Sequence, residues 1–133
     1  MNKAIIVDID GTLALKGERS PYDWSRVKED SLNKPIRQII NAYNGTVIIV
    51  SGRDSVCERD TIEWLNNNDI HYDYLFMRDE GNNEKDTIIK QRIFDENIKD
   101  KFIIEFILED RDCVVEMWRS LGLVCLQVAK GNF

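Results

Sequence analysis

Two aspartates directly follow the first apolar run of the chain. Residues 4–7 are apolar, and Asp8-Ile9-Asp10-Gly11-Thr12 comes next. A carboxylate at a strand end, a second one two residues later and a Gly-Thr turn suit a hard divalent cation and a phosphoryl group, because Mg²⁺ prefers oxygen ligands and shares the oxygens of a substrate phosphate. A solvated turn after an edge strand has the same pattern. The motif alone therefore does not separate a catalytic site from an ordinary turn.

Length and composition indicate one domain that spans residues 1–133. The chain has 133 residues, 43% of them hydrophobic, which is enough for one core and too few for two ordinary domains. No apolar stretch is long enough to cross a bilayer, and no cleavable signal sequence is evident. Cys57, Cys113 and Cys125 lack disulfide or metal-binding spacing, so we expect buried, reduced thiols in an intracellular, cytoplasmic protein. His71 lies in a polar segment and is expected at the surface.

The net charge of −6 argues against a protein that grips long nucleic acid. Such proteins usually carry a basic stripe, because neutralisation of phosphates dominates their affinity. The basic residues of the first third are scattered instead: Arg19, Arg26, Lys28, Lys34 and Arg37. Any nucleic-acid substrate is therefore expected to be held locally, at its end.

Apolar runs alternate with stretches of helical periodicity along the whole chain. Five runs are nearly continuous, as in strands that are buried on both faces: 3–7, 46–50, 72–77, 102–108 and 123–128. Four helical stretches are marked by apolar residues within 36–43, 62–65, 88–93 and 114–121, the last ending at Gly122. This alternation predicts an α/β fold: a single doubly wound, Rossmann-like domain with a five-stranded, mainly parallel sheet.

Polar residues follow four of the predicted strands at their carboxyl ends. They are Asp8 and Asp10, Ser51-Gly52-Arg53, Arg78-Asp79, and Glu109-Asp110. Ligands of open parallel sheets bind at this edge. Each residue alone has a simpler explanation, such as a helix cap for Ser51 or an ion pair for Glu109. Four such clusters at one edge favour a catalytic site.

These motifs resemble those of the haloacid dehalogenase-like phosphohydrolases. Asp8 and Asp10 match motif I, Ser51 matches motif II, Lys85 matches the lysine of motif III, and Glu109-Asp110 matches motif IV. The chain is most similar to the family of 3′-phosphatase domains of bacteriophage polynucleotide kinase-phosphatase. That similarity runs over essentially the whole chain and is carried by residues 8–14, Arg19, Pro21-Tyr22-Asp23, residues 50–53, 114–119 and 127–129.

The resemblance implies a Mg²⁺-dependent phosphomonoesterase that forms an aspartyl-phosphate. Asp8 would be the nucleophile and a metal ligand, and Asp10 would be the general acid/base and bind metal through its backbone carbonyl. Asp110 would complete the metal ligands, while Ser51 and Lys85 would bind the transferring phosphoryl group. Substrate contacts would come from Thr12, Arg19, Gly52, Arg53 and Arg78. Glu109 replaces the Asp of the family, which leaves open whether it binds metal directly or through water.

Two absences refine the expected substrate. Without a Gly-x-x-x-x-Gly-Lys-Ser/Thr motif, 5′-kinase activity is not expected, so a separate kinase or ligase is the expected companion. Residues 15–32 have room for a flap but not for a large cap, which favours a phosphate on something large. We therefore predict removal of 3′-phosphates from polynucleotide ends, by a protein that the resemblance places in a phage-infected bacterial host.

Two alternatives remain open at this point. The same chemistry on a small phosphomonoester or a nucleoside 3′-phosphate fits the motifs. A non-catalytic phosphoacceptor receiver domain also combines a parallel sheet, clustered carboxylates and a lysine, although Asp10 argues against it because a second aspartate speeds hydrolysis of the phosphorylated form. The sequence also leaves open whether the substrate is DNA or RNA and whether the chain forms a homo-oligomer.

Overall fold

A computed structural model describes residues 1–133 and contains the predicted sheet. The strands are β1 (Asn2–Val7), β2 (Ala14–Leu15), β3 (Ser31–Leu32), β4 (Thr46–Asp54), β5 (Tyr74–Arg78), β6 (Phe102–Glu109) and β7 (Cys125–Gln127). Five of them form one sheet in the order β5-β4-β1-β6-β7. Every pairing in that sheet is parallel. The fold class predicted from the alternating runs is confirmed.

Four helices cover the two faces of this sheet. They are α1 (Lys34–Ala42), α2 (Glu58–Asn67), α3 (Asp86–Asn97) and α4 (Asp112–Ser120). Ile40 of α1 and Trp64 of α2 pack with Ile5, on one face. Phe94 of α3 and Trp118 of α4 join the cluster on the other face. None of the helices is long and apolar enough to span a membrane.

The apolar runs are continuous because side chains of the central strand are buried on both faces. Ile5 and Val7 belong to the cluster under α1 and α2, whereas Ile6 belongs to the cluster under α3 and α4. All three are at most 1% exposed. Burial of such a side chain contributes about 1.5–3 kcal/mol, so β1 is held rigidly between both layers.

Several predicted bounds and one predicted environment are corrected. β4 continues to Asp54, so Ser51, Gly52 and Arg53 lie inside the end of this strand and not after it. β5 begins two residues later than predicted, because its pairing with β4 starts at Tyr74. Cys113 is exposed, although Cys57 and Cys125 are buried as expected. It lies on the solvent side of α4.

Residues 15–32 form the flap that the sequence predicts, and it is packed against the domain. Its base is the short antiparallel pair of β2 with β3. A 3₁₀ helix, Trp24–Glu29, lies between them, and its Val27 is fully buried. The indole Nε1 of Trp64 donates a 2.8 Å hydrogen bond to the carbonyl of Asp30, so α2 anchors the flap at its carboxyl end.

Candidate active site

Asp8 lies at the carboxyl end of the central strand, where three strand ends meet. β1 pairs with β4 on one side and β6 on the other, and the Asp8 amide continues the ladder with a 3.0 Å bond to the carbonyl of Leu108. The carboxylate of Asp8 is buried and accepts hydrogen bonds from Lys90 Nζ at 2.8 Å and from Thr12 Oγ1 at 3.1 Å. One buried carboxylate is therefore oriented through both of its oxygens.

The turn after Asp10 lets a second carboxylate approach the first. Gly11 has φ +80°, and a Cβ built there would lie 2.0 Å from Asp110 Oδ2. A side chain at position 11 would therefore both strain the backbone and displace Asp110. The amides of Leu13 and Ala14 both donate to the carbonyl of Ile9 at 2.9 Å, which closes the turn.

Asp8, Glu109 and Asp110 form a buried acidic cluster. One carboxylate oxygen of each lies within 4.8 Å of the others, and Lys90 Nζ contacts both Asp8 and Glu109 at 2.8 Å. Three carboxylates against one ammonium group leave an excess of negative charge. Hard oxygen donors with excess negative charge fit a divalent cation such as Mg²⁺.

The hydrogen bonds distinguish the three carboxylates as metal ligands. Both oxygens of Glu109 are already engaged: Oε2 accepts from Lys90, and Oε1 accepts from the amides of Asp110 and Arg111 at 3.1 and 3.2 Å. Asp110 accepts only one long bond, 3.5 Å from Thr12 Oγ1. Asp8 and Asp110 are therefore the better candidate ligands, and Glu109 positions Lys90.

Burial and crowding raise the pKa values of Asp8 and Asp110. Burial, aided by the charge of Glu109, raises the pKa of Asp8 to about 7 even though Lys90 opposes the shift. Burial and the neighbouring Asp8 raise the pKa of Asp110 to about 7. Burial alone would lower the pKa of Lys90, but Asp8 and Glu109 raise it above its usual value. Lys90 is therefore a permanent positive charge at the site.

Asp10 belongs to a second charged cluster beside the first. The Arg53 guanidinium donates to Asp10 from Nε at 3.0 Å and from Nη2 at 2.9 Å, and Arg19 Nη2 reaches the same carboxylate at 3.4 Å. Both guanidinium groups also bind Asp30, Arg19 at 2.8 Å and Arg53 at 2.9 Å. The side chains of Arg19, Arg53 and Asp30 are at most 2% exposed, whereas that of Asp10 is 43% exposed. Two buried arginines, Arg19 and Arg53, therefore hold the partly exposed carboxylate of Asp10.

Most of the predicted site residues are brought together, but Lys85 and Arg78 are not. Lys85 is exposed at the N-cap of α3 and does not bond to the acidic cluster. Lys90, one turn further along α3, occupies the position expected for Lys85. The spacing of Asp86, Lys90 and Phe94 places all three on one face of the helix, and Lys90 and Phe94 are buried. The signal for it in the sequence is the position of Lys90 four residues before the apolar Phe94.

Ser51 is fully buried next to this cluster, with Gly52 and Arg78 behind it. The Ser51 hydroxyl accepts a 3.1 Å bond from the Arg53 amide. Arg78 does not reach the acidic cluster; its guanidinium donates to the Gly52 carbonyl at 2.9 Å and pairs with Asp86. A Cβ at position 52 would lie 2.7 Å from Asp86 Oδ1. Arg78 and Asp86 therefore support the strand end that carries Ser51.

A parallel sheet with paired aspartates at its central strand, a buried lysine and an acidic pair defines a haloacid dehalogenase-like phosphohydrolase domain. The family described as the polynucleotide kinase PNKP phosphatase domain matches residues 2–133. The chain belongs to this family. The resemblance inferred from the motifs is confirmed.

Longer proteins are similar to this chain. It is 34% identical, over 127 residues, to the putative bifunctional polynucleotide kinase/RNA ligase of Autographa californica nuclear polyhedrosis virus. That alignment covers 91% of this chain and 18% of the viral protein. Chains in two solved structures, of a Pnkp1/Rnl/Hen1 complex and of the Pnkp1/Rnl/Hen1 RNA repair complex, are both 43% identical with TM-scores of 0.96. The alignments cover 98% and 99% of this chain but 47% and 44% of theirs. The chain therefore spans less than half the length of these relatives.

Proposed function

We propose that this chain is a Mg²⁺-dependent phosphatase that removes 3′-phosphates from polynucleotide ends through an aspartyl-phosphate on Asp8. One observation carries the proposal: the buried Asp8 carboxylate lies against Lys90 at 2.8 Å, next to an Asp10 carboxylate that two arginines hold toward solvent. This arrangement provides a nucleophile, a fixed positive charge and an acid/base in one place. Membership of the PNKP phosphatase family supports nucleic-acid ends as the substrate.

The acidic cluster would hold the metal ion through Asp8, Asp110 and the backbone carbonyl of Asp10. When bound, Mg²⁺ would offset the negative charge that accumulates when a phosphate monoester meets these carboxylates. Glu109 would contribute indirectly, because its oxygens are engaged by Lys90 and by two backbone amides. Two unit negative charges about 4 Å apart repel by roughly 4 kcal/mol at an effective dielectric constant of about 20. The single positive charge of Lys90 therefore offsets only part of the repulsion between the carboxylates and the phosphate.

In the first step, a carboxylate oxygen of Asp8 attacks phosphorus while the bond to the 3′-oxygen breaks. Asp10 donates its proton to that departing oxygen. Lys90 and the hydroxyl of Ser51 bind the nonbridging oxygens of the transferring phosphoryl group, with Thr12 holding the other oxygen of Asp8. The products of this step are a free 3′-hydroxyl and phosphorylated Asp8.

In the second step, Asp10 takes a proton from a water molecule that attacks the phosphorus of phosphorylated Asp8. The acyl-phosphate bond breaks, inorganic phosphate leaves, and Asp8 returns as a carboxylate. Asp10 thus acts as acid and then as base. Arg19 and Arg53 keep it in one orientation for both steps, since their guanidinium groups are themselves fixed by Asp30.

The relatives support a set of partners for this activity. Residues 1–133 would act as one phosphatase domain, a kinase would phosphorylate the 5′-hydroxyl of the partner end, and a ligase would then join the two ends. The viral relative is described as a kinase and ligase in one chain, and the structural relatives are solved with Rnl and Hen1. A 3′-hydroxyl is the end that a ligase requires, so dephosphorylation would precede sealing.

Phosphate release from matched oligonucleotides tests the proposal. One oligonucleotide is prepared with a 3′-phosphate, one with a 5′-phosphate, and a nucleoside 3′-phosphate serves as the small substrate, each with Mg²⁺ or with chelator. We expect release from the 3′-phosphorylated oligonucleotide with Mg²⁺ and none from the D8N variant, with the D10N variant slow in both steps. Equal release from the 5′-phosphate or from the mononucleotide would contradict the proposed specificity, and release in chelator would contradict the metal dependence.

Arginine and lysine substitutions test whether the residues of the site or the general surface charge determine activity. We expect R19A and R53A to reduce activity, because both guanidinium groups hold Asp10. The matched control is K99A with K101A, since both lysines lie on the turn before β6, at the opposite edge of the sheet. A larger effect of the lysine substitutions would show that general surface charge, and not the site, binds the substrate.

A further inference from the structure

Tyr22 lies on the flap with its ring in solvent. The residue is 84% exposed, the largest value for any large hydrophobic residue of the chain. Tyr43, in comparison, is partly buried against the core and donates to Glu105. Tyr22 therefore adds little to the packing of this domain, and its ring is accessible to a ligand.

The turn that carries Tyr22 is ordered by its own hydrogen bonds. The Asp23 amide donates to the Ser20 carbonyl at 3.0 Å, and the Tyr22 amide donates to Ser20 Oγ at 3.2 Å. The carboxylate of Asp23 then accepts the amide of Ser25 at 3.2 Å and begins the 3₁₀ helix. Pro21 restricts the backbone between them. The ring is thus exposed on a fixed backbone, which lowers the entropy lost when a ligand binds.

The same turn is joined directly to the candidate acid/base. Arg19 Nη1 donates to the Ser20 carbonyl at 3.2 Å, and Nη2 of the same guanidinium lies 3.4 Å from Asp10 Oδ1. Asp30 fixes Arg19 from the buried side. One buried side chain therefore contacts both the turn that carries Tyr22 and the carboxylate of Asp10.

We propose that Tyr22 stacks on a nucleobase at the 3′-end of the substrate and so selects polynucleotide ends over small phosphate esters. This inference rests on the proposed function. The chain carries a net charge of −6, and the guanidinium groups of Arg19 and Arg53 are occupied by Asp10 and Asp30, so charge alone supplies little affinity for the strand. Stacking needs no charge and tolerates any base, and one stacked base is worth about 5- to 150-fold in affinity.

The experiment compares substrates with and without bases next to the phosphate. One 3′-phosphorylated oligonucleotide carries all its bases, and a second lacks the bases of its last two sugars. The variants are Y22A and Y22F. The control is Y74A, because Tyr74 is an exposed aromatic at the amino end of β5, whereas the site lies at the carboxyl ends of the strands. Tyr22 is exposed, so both of its variants are expected to fold, and melting curves verify this.

We expect Y22A to lower kcat/KM about tenfold on the complete oligonucleotide, through KM, and to leave kcat/KM on the base-free end unchanged. Y22F and Y74A should match the parent on both. Equal losses for Y22A on both substrates, no loss on either, or a loss in Y22F as large as in Y22A would overturn stacking while leaving the proposed function intact. A parent protein that releases no phosphate from the complete oligonucleotide would overturn the proposed function and this inference together.

Discussion

Replacement of Asp30 by Asn tests how the buried ion pairs of Asp30 with Arg19 and Arg53 contribute to stability and to activity. Asp30 lies on the flap, away from the acidic cluster, and its carboxylate binds Arg19 at 2.8 Å and Arg53 at 2.9 Å. Asn keeps the shape of the side chain but removes its negative charge. Two buried guanidinium groups would then share Asp10 alone, and Asp10 is itself partly exposed.

The expected cost follows from burial. The Asp30 side chain is 1% exposed, and those of Arg19 and Arg53 are 2% and 0% exposed, so solvent screens these charges poorly. Removal of one partner from a buried ion pair costs about 3–5 kcal/mol. With about 2.1 cal/mol/K of unfolding entropy per residue over 133 residues, this corresponds to a decrease in Tm of about 10–18 °C. A displaced Asp10 should also lower kcat about 100-fold.

Thermal unfolding and phosphate release measure the two effects on the same preparations. The control is E29Q, the neighbouring carboxylate-to-amide change, because Glu29 forms an exposed pair with Arg26 at 2.8 Å and such pairs contribute little. We expect parental Tm and activity for E29Q. A D30N protein with parental Tm and parental kcat would refute the charge balance proposed here, and equal losses in D30N and E29Q would show that the flap is sensitive to any change.

Three further predictions concern the two clusters. K90M should lower phosphate release by at least about 100-fold, whereas K85M should leave it unchanged, and the reverse order in single-turnover assays would return the role to Lys85. In metal-free protein, Asp8 and Asp110 have native pKa values of about 7 against 3.8 for an ordinary Asp, so the native state holds protons that the unfolded chain releases. Stability in urea should therefore fall as the pH rises from about 4 to about 7, with Mg²⁺ opposing the fall, and a rise over that range would contradict the assignment. R53K keeps the charge but loses the planar fork that reaches two carboxylates at once, so kcat should fall while circular dichroism stays parental; parental kcat would show that charge alone suffices.

The sheet could be predicted because its signal is local. Each strand that is buried on both faces reads as an apolar run, and each helix shows its own periodicity. The strand ends were less certain, since hydrogen bonds and not hydrophobicity decide them. β4 continues through the polar residues Ser51 and Gly52 to Asp54, because pairing with β5 resumes at the bridge between Asp54 and Arg78.

The site was predictable where residues are adjacent in sequence and not where they meet only in space. Asp8 and Asp10 follow one strand and are evident as a motif. Asp30 has no such context, because its neighbour Glu29 is exposed and the pair looks like an ordinary charged surface. Lys90 lies between Ile89 and Gln91 on a helix without a clear apolar face, whereas Lys85 lies between two acidic residues and is the better match until the helix start is known.

The central position of β1 has a consequence for how this domain folds. β1 pairs with β6, so Asn2 lies beside Phe102, and Thr12 contacts Asp110 across 98 positions. Contacts between such distant segments form slowly, because the long intervening chain must first be ordered. The first strand therefore has no complete set of neighbours until β6 has been synthesised. Phosphatase activity should accordingly appear only when the last third of the chain has been synthesised. Amino-terminal fragments that contain Asp8 and Asp10 should be inactive.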